Sequence, residues 1–308
     1  MMQPSFQHLS RALAGLLLAC VAAGAHASGF LGNRPAHIAS DPGPVENDQA
    51  IVARIWAPDI DAGYVPQGMS FGDGQLLVTS YRSTDSSVGR GPCRVHRIDP
   101  RSGQVTGKFD MPDDCGHAGG AAYAGKGVLI VADTRRLYKI DMEKAFASGH
   151  ARDGLLATLA LAGELRGSFV SFDGNSILVG TYAKEAEKAR VHFLPYTLFD
   201  ARNGETVDET AASRSFPILV RAQGAAFDRQ GALWLTASSS NFGKVQKVDP
   251  VSGKVLEEHG MVAGIEDIGF DPEGRLWAVS EAGSLRWSTW STSYPVIFAL
   301  DTAKLRKP

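Results

Sequence analysis

Apolar and polar residues alternate with a period of two through most of the chain, in runs of five to seven separated by Gly-, Asp- and Pro-containing turns. That period predicts strands rather than helices. One unit recurs five times: an alternating strand ending in an aromatic residue, a Gly-containing turn, then a second apolar strand. Gln67-Gly68-Met69-Ser70-Phe71 leads through Gly-Asp-Gly into 75–81. The unit returns at Gly119–Tyr123 with 127–133, at Ser168–Phe172 with 176–182, at Gln223–Phe227 with 232–238, and at Glu266–Phe270 with 275–281. The aromatic residues Phe71, Tyr123, Phe172, Phe227 and Phe270 stand 43 to 55 residues apart. This is the period of a propeller blade with generous loops.

Each unit has a third strand, and most have a fourth. Arg94–Asp99 and Val245–Asp249 each run into Asp-Pro-x-Ser-Gly, a tight hairpin in which Pro presets φ and Gly takes the left-handed conformation. The last unit ends with 295–301 and lacks a fourth strand, which Ile51–Trp56, ahead of the first unit, is placed to supply. The expected fold is therefore all-β: a single β-propeller of about five four-stranded blades over 51–308, six being the alternative, with the ring closed by the N-terminal strand. Short turns of helix are expected at 142–147 and 184–189. Residues 28–50, rich in Gly, Pro and Asp, read as an extended or disordered arm.

The N-terminus changes the compartment. Arg11 is the only charge in the first 27 residues, and it precedes an apolar run, 12–23, that ends in Ala25-His26-Ala27. About 20 apolar residues are needed to span a bilayer, so residues 1–27 read as a cleaved signal peptide. The protein is then periplasmic or secreted and has no inserted segment after cleavage. The alternative is a lipoprotein anchored through Cys20, since Leu17-Leu18-Ala19-Cys20 resembles a lipobox. Cleavage leaves Cys93 and Cys115, which an oxidising compartment would pair as one disulfide; two free thiols are the alternative. The full chain carries 31 basic and 33 acidic residues, a net charge of −2. That balance is too mild for a nucleic-acid partner.

Topology puts the heads of the inner strands and the ends of the second strands around one mouth of the channel. Gln67, His117, Arg166, Gln223, Glu266 and Asp267 fall in the first set. Arg82, Asp133, Arg135, Tyr182, Asn241 and Glu281 fall in the second. Carboxylates there could grip hydroxyls or a cation, and arginines anionic groups. The competing reading is a plug of salt bridges and water that merely satisfies buried polar groups. Trp287 and Trp290 sit in a Trp-Ser-Thr-Trp-Ser-Thr-Ser-Tyr stretch on the same side, suited either to stacking on a sugar or peptide or to packing on the next blade. Gly68-Met69-Ser70-Phe71-Gly72 matches the nucleophile-elbow pattern, but its Ser lies inside a hairpin strand rather than at a strand-to-helix turn.

The lines Gln223-Gly224-Ala225-Ala226-Phe227-Asp228 with Leu233-Trp234-Leu235, and Asp267-Ile268-Gly269-Phe270-Asp271 with Leu276-Trp277-Ala278, resemble the repeat of gluconolactonase-like and NHL-type propellers. His117-Ala118-Gly119-Gly120 resembles secreted bacterial members without an assigned activity. The resemblance implies a divalent metal such as calcium at the channel mouth, held by carboxylates, of which only Glu266 and Asp267 remain. Gln67 and Gln223 replace the acids at the other matching positions, and amides lack the charge that a hard cation prefers. The expectation is thus a binding or scaffold propeller without a cofactor, its partner a small polar molecule, a glycan or a peptide. The alternative is a metal-dependent lactonase- or esterase-like hydrolase, and a purely structural element is the third reading.

Overall fold

A computed structural model describes residues 29–307 together with Met1. The signal segment read at 1–27, including Cys20, otherwise lies outside the described residues. Five sheets form a ring of five blades. Blade one is β2 (Tyr64–Gly72), β3 (Gln75–Arg82), β4 (Cys93–Ile98) and β5 (Val105–Asp110). Blade two is β6 (Ala118–Tyr123), β7 (Val128–Asp133), β8 (Arg136–Asp141) and β9 (Leu155–Leu161). Blade three is β10 (Phe169–Phe172), β11 (Ser176–Gly180), β12 (Arg190–Pro195) and β14 (Arg214–Pro217), and blade four is β15 (Ala222–Phe227), β16 (Leu233–Ser239), β17 (Phe242–Val248) and β18 (Val255–Met261). Blade five is β19 (Ile265–Phe270), β20 (Leu276–Ser280) and β21 (Val296–Leu300), completed on its outer edge by β1 (Ile51–Trp56).

The ring closes as the sequence predicts. β1 pairs antiparallel with β21, with Ile55 opposite Ile297 and Trp56 opposite Val296. Closing a ring with strands from both termini removes an edge that would otherwise be free to pair. Blade two departs from the four-strand pattern. A two-residue strand, β13 (Thr206–Val207), leaves blade three and runs parallel to β9.

Five apolar clusters, one between each pair of blades, form the core. Met69 and Val78 of blade one pack with Trp277 and Val279 of blade five, and Phe169 and Phe193 of blade three pack with Ala225 and Leu235 of blade four. The Phe-Asp…Leu-Trp motif has a direct physical basis. Asp228 Oδ1 accepts the Gln230 and Ala232 N–H groups, fixing the turn, while Oδ2 accepts the Trp234 indole N–H at 3.0 Å. Asp271 and Trp277 repeat the arrangement at 2.8 Å. Each Trp thereby satisfies its one polar atom while its ring enters the core.

The helices are few. Met142–Ser148 is an α-helix capped by Asp141, and Ala186–Lys188 makes one 3-10 turn. The arm over residues 29–50 is extended and clasped. Phe30 stacks on Trp56 at 4.7 Å, Leu31 bridges to Ile55, and Asn47 hydrogen-bonds both Gly260 and Arg306. No helix among the described residues is long and apolar enough to cross a membrane.

The expected disulfide is not formed. Cys93 opens β4 and Cys115 follows β5, so topology brings them into one cluster as anticipated, but both are free and buried. The two sulfurs meet as thiols. Cys93 Sγ lies 3.6 Å from the Gly91 carbonyl oxygen. The hydrogen bond to Cys93, together with burial, pushes the Cys115 thiol well above its ordinary value.

Candidate functional site

The inner strands approach one another too tightly for side chains at several of their glycines. A Cβ on Gly68 would stand 2.3 Å from Thr79 Oγ1 and 2.7 Å from the carbonyl carbon of Gly120. One on Gly224 would stand 2.4 Å from Asp267 Cα. At the same level β2, β6, β15 and β19 each carry a register shift, between Pro66 and Met69, Ala118 and Gly120, Ala222 and Gly224, and Ile265 and Ile268. A bulge releases backbone groups from the ladder and re-aims them, and here they turn inward.

Asp267 receives them. Its Oδ2 accepts the N–H groups of Met69 and Ala121, and its Oδ1 accepts that of Ala225, each at 3.1 Å. One fully buried carboxylate on blade five therefore ties to the inner strands of blades one, two and four. Burial pushes its carboxyl well above the ordinary range, and these N–H donors oppose that shift without cancelling it. Asp267, expected at the rim as a ligand contact, instead lies below the cavity as the knot of the ring.

Above this knot opens a cavity of about 890 Å³. Its floor joins blades five, one and four. Glu281 and Glu266 are both buried and meet carboxyl to carboxyl. Glu281 Oε2 accepts the Trp287 indole N–H at 2.7 Å and the Gln67 amide at 3.0 Å, and Glu266 Oε1 accepts the Gln223 amide at 2.7 Å. Burial, then the negative charges of Glu281 and Asp267, push Glu266 well above the usual carboxylate range. Burial also pushes Glu281 up, to about 7, against the pull of the Trp287 and Gln67 donors. Like charges in contact resist double ionisation, so near neutrality the pair shares a proton, with Glu266 as the acid and Glu281 as the partner facing the cavity.

His117 continues the network. Its Nε2 lies 3.0 Å from Gln67 Oε1, its Nδ1 lies 2.7 Å from the Gly89 carbonyl, and its ring stacks on Tyr81 at 4.1 Å. Both partners are oxygen acceptors, so a neutral ring satisfies only one of them, and burial pushes the imidazole toward neutrality. Asp133 holds this loop from beneath, accepting the Gly116, His117 and Thr134 N–H groups and the Arg90 guanidinium. It positions His117 and does not line the cavity.

The remaining expected residues divide. Gln67, His117, Arg166, Tyr182, Gln223, Glu281 and Trp287 line the cavity. Arg82 turns away to the Ala62 carbonyl, Arg135 is exposed, and Asn241 is spent on Ser239 in its own turn. Trp290 stacks on Trp287 at 4.7 Å and so backs the site. Arg286 was not anticipated. It lies over both Trp287 and Tyr81 and hydrogen-bonds the 83–88 loop, locking Trp287 in place. Thr181, Arg190 and His192 of blade three also line the cavity without having been expected. Their signal in the sequence is a histidine at a buried position of a third strand, away from the strand heads.

The donor set does not fit a divalent cation held by Glu266 and Asp267. The Asp267 oxygens are occupied by backbone N–H groups, and Glu266 is engaged by Gln223 and Glu281. Among the described residues no group of three or more His, Cys, Asp or Glu side chains is placed to hold a metal ion.

No known protein family matches the sequence, and no curated protein matches it. Solved structures resemble it to different degrees. Myxococcus xanthus glutaminyl cyclase superposes with a TM-score of 0.57 at 12% identity, over 84% of this chain and 96% of that one. A PQQ-bound aldose sugar dehydrogenase from Streptomyces coelicolor gives 0.43 at 14%, over 80% of each chain. A putative gluconolactonase gives 0.41 at 14%, over 70% of this chain and 72% of that one. The chain is a five-bladed β-propeller, similar in fold to the Myxococcus xanthus structure.

Proposed function

We propose that this propeller takes a small polar molecule into its upper cavity and moves a proton on it through Glu281, with Glu266 behind as the proton reservoir. The observation that carries this reading is the contact between the two buried carboxyls at the foot of the cavity. A carboxyl held near pH 7 can give or take a proton at working pH, and such a group contributes about 10²- to 10⁴-fold to a proton-transfer step. Trp287 and Gln67 orient Glu281, and the cavity is of the size that encloses a drug-sized ligand. The reaction class is general acid–base chemistry on a polar substrate.

A second reading, binding without turnover, is favoured by the amides of Gln67 and Gln223, which sort hydrogen-bonding ligands and transfer no protons. A substrate screen separates the two. It starts with peptides headed by glutamine, as the name of the Myxococcus xanthus structure suggests, and adds lactones and esters. Under the proposal a substrate turns over, and Glu281→Gln lowers kcat by about 10²-fold or more with KM little changed. Turnover unaltered in Glu281→Gln removes the residue from the role. Saturable binding with no turnover selects the second reading.

A further inference from the structure

The cavity extends sideways over blade three, and there it holds polar atoms that nothing among the described residues satisfies. His192 is only 2% exposed, yet neither ring nitrogen has a hydrogen-bond partner among the described residues, and buried Thr181 Oγ1 is likewise unpartnered. Both line the cavity. A buried polar group without a partner is destabilising, so it persists where a ligand or water completes it. Arg166 and Arg190 line the same arm. Arg166 Nη1 donates to the Gly163 and Leu165 carbonyls, and Arg190 Nε donates to Ser215 Oγ, which leaves each guanidinium with free N–H groups. Neither forms an ion pair among the described residues. The carboxylates on this side, Glu164, Glu185 and Glu187, are exposed at the mouth, and Glu185 already faces Lys188 at 3.9 Å. Burial and the Arg190 charge hold the His192 ring neutral, so it offers one N–H donor and no competing positive charge.

We infer that this arm is an anion subsite in which Arg166, Arg190, His192 and Thr181 bind a carboxylate of the ligand. Guanidinium groups match a carboxylate in shape and charge, and the neutral imidazole and hydroxyl add donors from the buried side. The inference rests on the upper cavity being a ligand site. It deepens that reading by making the ligand bipolar in its recognition: one end meets the Glu281 carboxyl on the floor, and the other is an anion.

The test follows the His192 imidazole by NMR in histidine-labelled protein, with the resonance assigned through His192→Gln. Glutarate is the probe, glutaramide its neutral match, and inorganic phosphate the alternative anion. Glutarate should move the His192 signal saturably while glutaramide does not. Arg190→Gln and Arg166→Gln should each weaken glutarate about tenfold or more, with melting temperatures close to that of the parent. A His192 signal unmoved by glutarate, moved equally by glutaramide, or moved by phosphate alone overturns the assignment. Trp287 emission, taken as the difference from Trp287→Phe, reports the floor in the same samples. A probe that alters Trp287 but leaves His192 untouched defeats the anion subsite and spares the acid–base floor. The reverse pattern supports the subsite and counts against the floor.

Discussion

The Asp267 carboxylate of blade five accepts the backbone N–H of Met69 in blade one at 3.1 Å, across the inner surface of the ring. A propeller is otherwise held together blade to blade, by apolar faces that touch only their neighbours. This contact and its companions to Ala121 and Ala225 tie inner strands through the channel itself. The carboxylate does not line the cavity itself, but two of the strands it ties, β2 and β15, carry Gln67 and Gln223, which do, so the rigidity of the site and the closure of the fold share one residue.

Replacing Asp267 with Asn should therefore be costly although the two side chains are nearly the same size. The amide keeps one acceptor oxygen and turns an NH₂ group toward an N–H donor. Hydrogen bonds to a charged group are worth about 1.5–3 kcal/mol each, and at least one is lost with a donor left buried. A loss of about 3 kcal/mol or more is expected, read as a fall of roughly 6 °C or more in Tm for a domain of this size. A Tm within about 2 °C of the parent would show that the N–H groups are satisfied some other way.

Gly68→Ala tests the closeness of the inner strands. The added methyl meets Thr79 Oγ1 at 2.3 Å and backbone of blade two at 2.7 Å, and the Thr79 hydroxyl is itself committed to the Gly68 N–H and the Ala118 carbonyl. Nothing there is a flexible side-chain end, so the strand must move. Overpacking of this kind costs about 1–3 kcal/mol or more, and loss of the Asp267 contact next door adds to it. Gly43→Ala, where the new methyl meets nothing within 4 Å, is the matched control and should stay within about 0.5 kcal/mol. Urea unfolding of the pair gives the answer, and equal midpoints would refute the close-packing account.

The ring was legible in the sequence because a blade is a local object. The aromatic anchors, the Asp-Pro-x-Ser-Gly hairpins and the unpaired last unit follow from period and turn chemistry within about fifty residues. The rim was legible only as a set of strand ends. Gln67, His117, Gln223 and Glu281 do meet there, but Asp267 sits beside Glu266 in sequence and on the other side of the floor in space. Both lie within one bulge of β19, between Ile265 and Ile268, and no alternation pattern announces a bulge. The side arm over blade three was hidden for a similar reason. β11 ends at Gly180, where a Cβ would strike the Phe169 ring, and Thr181 just beyond it and His192 of β12 line the arm from positions that carry no strand-head signal.

Glu281 should make stability depend on pH in a direction opposite to that of an ordinary surface carboxylate. Its folded value, near 7, lies above its ordinary 4.5, so between those values the folded state holds a proton that the unfolded chain has released. Stability then falls as pH rises: the contribution is complete below about pH 4.5 and is lost as pH climbs through about 7. The full span is on the order of 3 kcal/mol. Glu281→Gln cannot titrate and should flatten this part of the curve. Trp287→Phe removes one donor to the carboxylate and should push the upper end of the window higher still. Urea unfolding of the three proteins from pH 4.5 to 8 reads the differences, with contributions from groups remote from the Glu266–Glu281 pair cancelling between parent and variant. If the parent and Glu281→Gln curves run parallel, Glu281 does not carry a raised pKa, and the acid–base reading of the cavity floor loses its base.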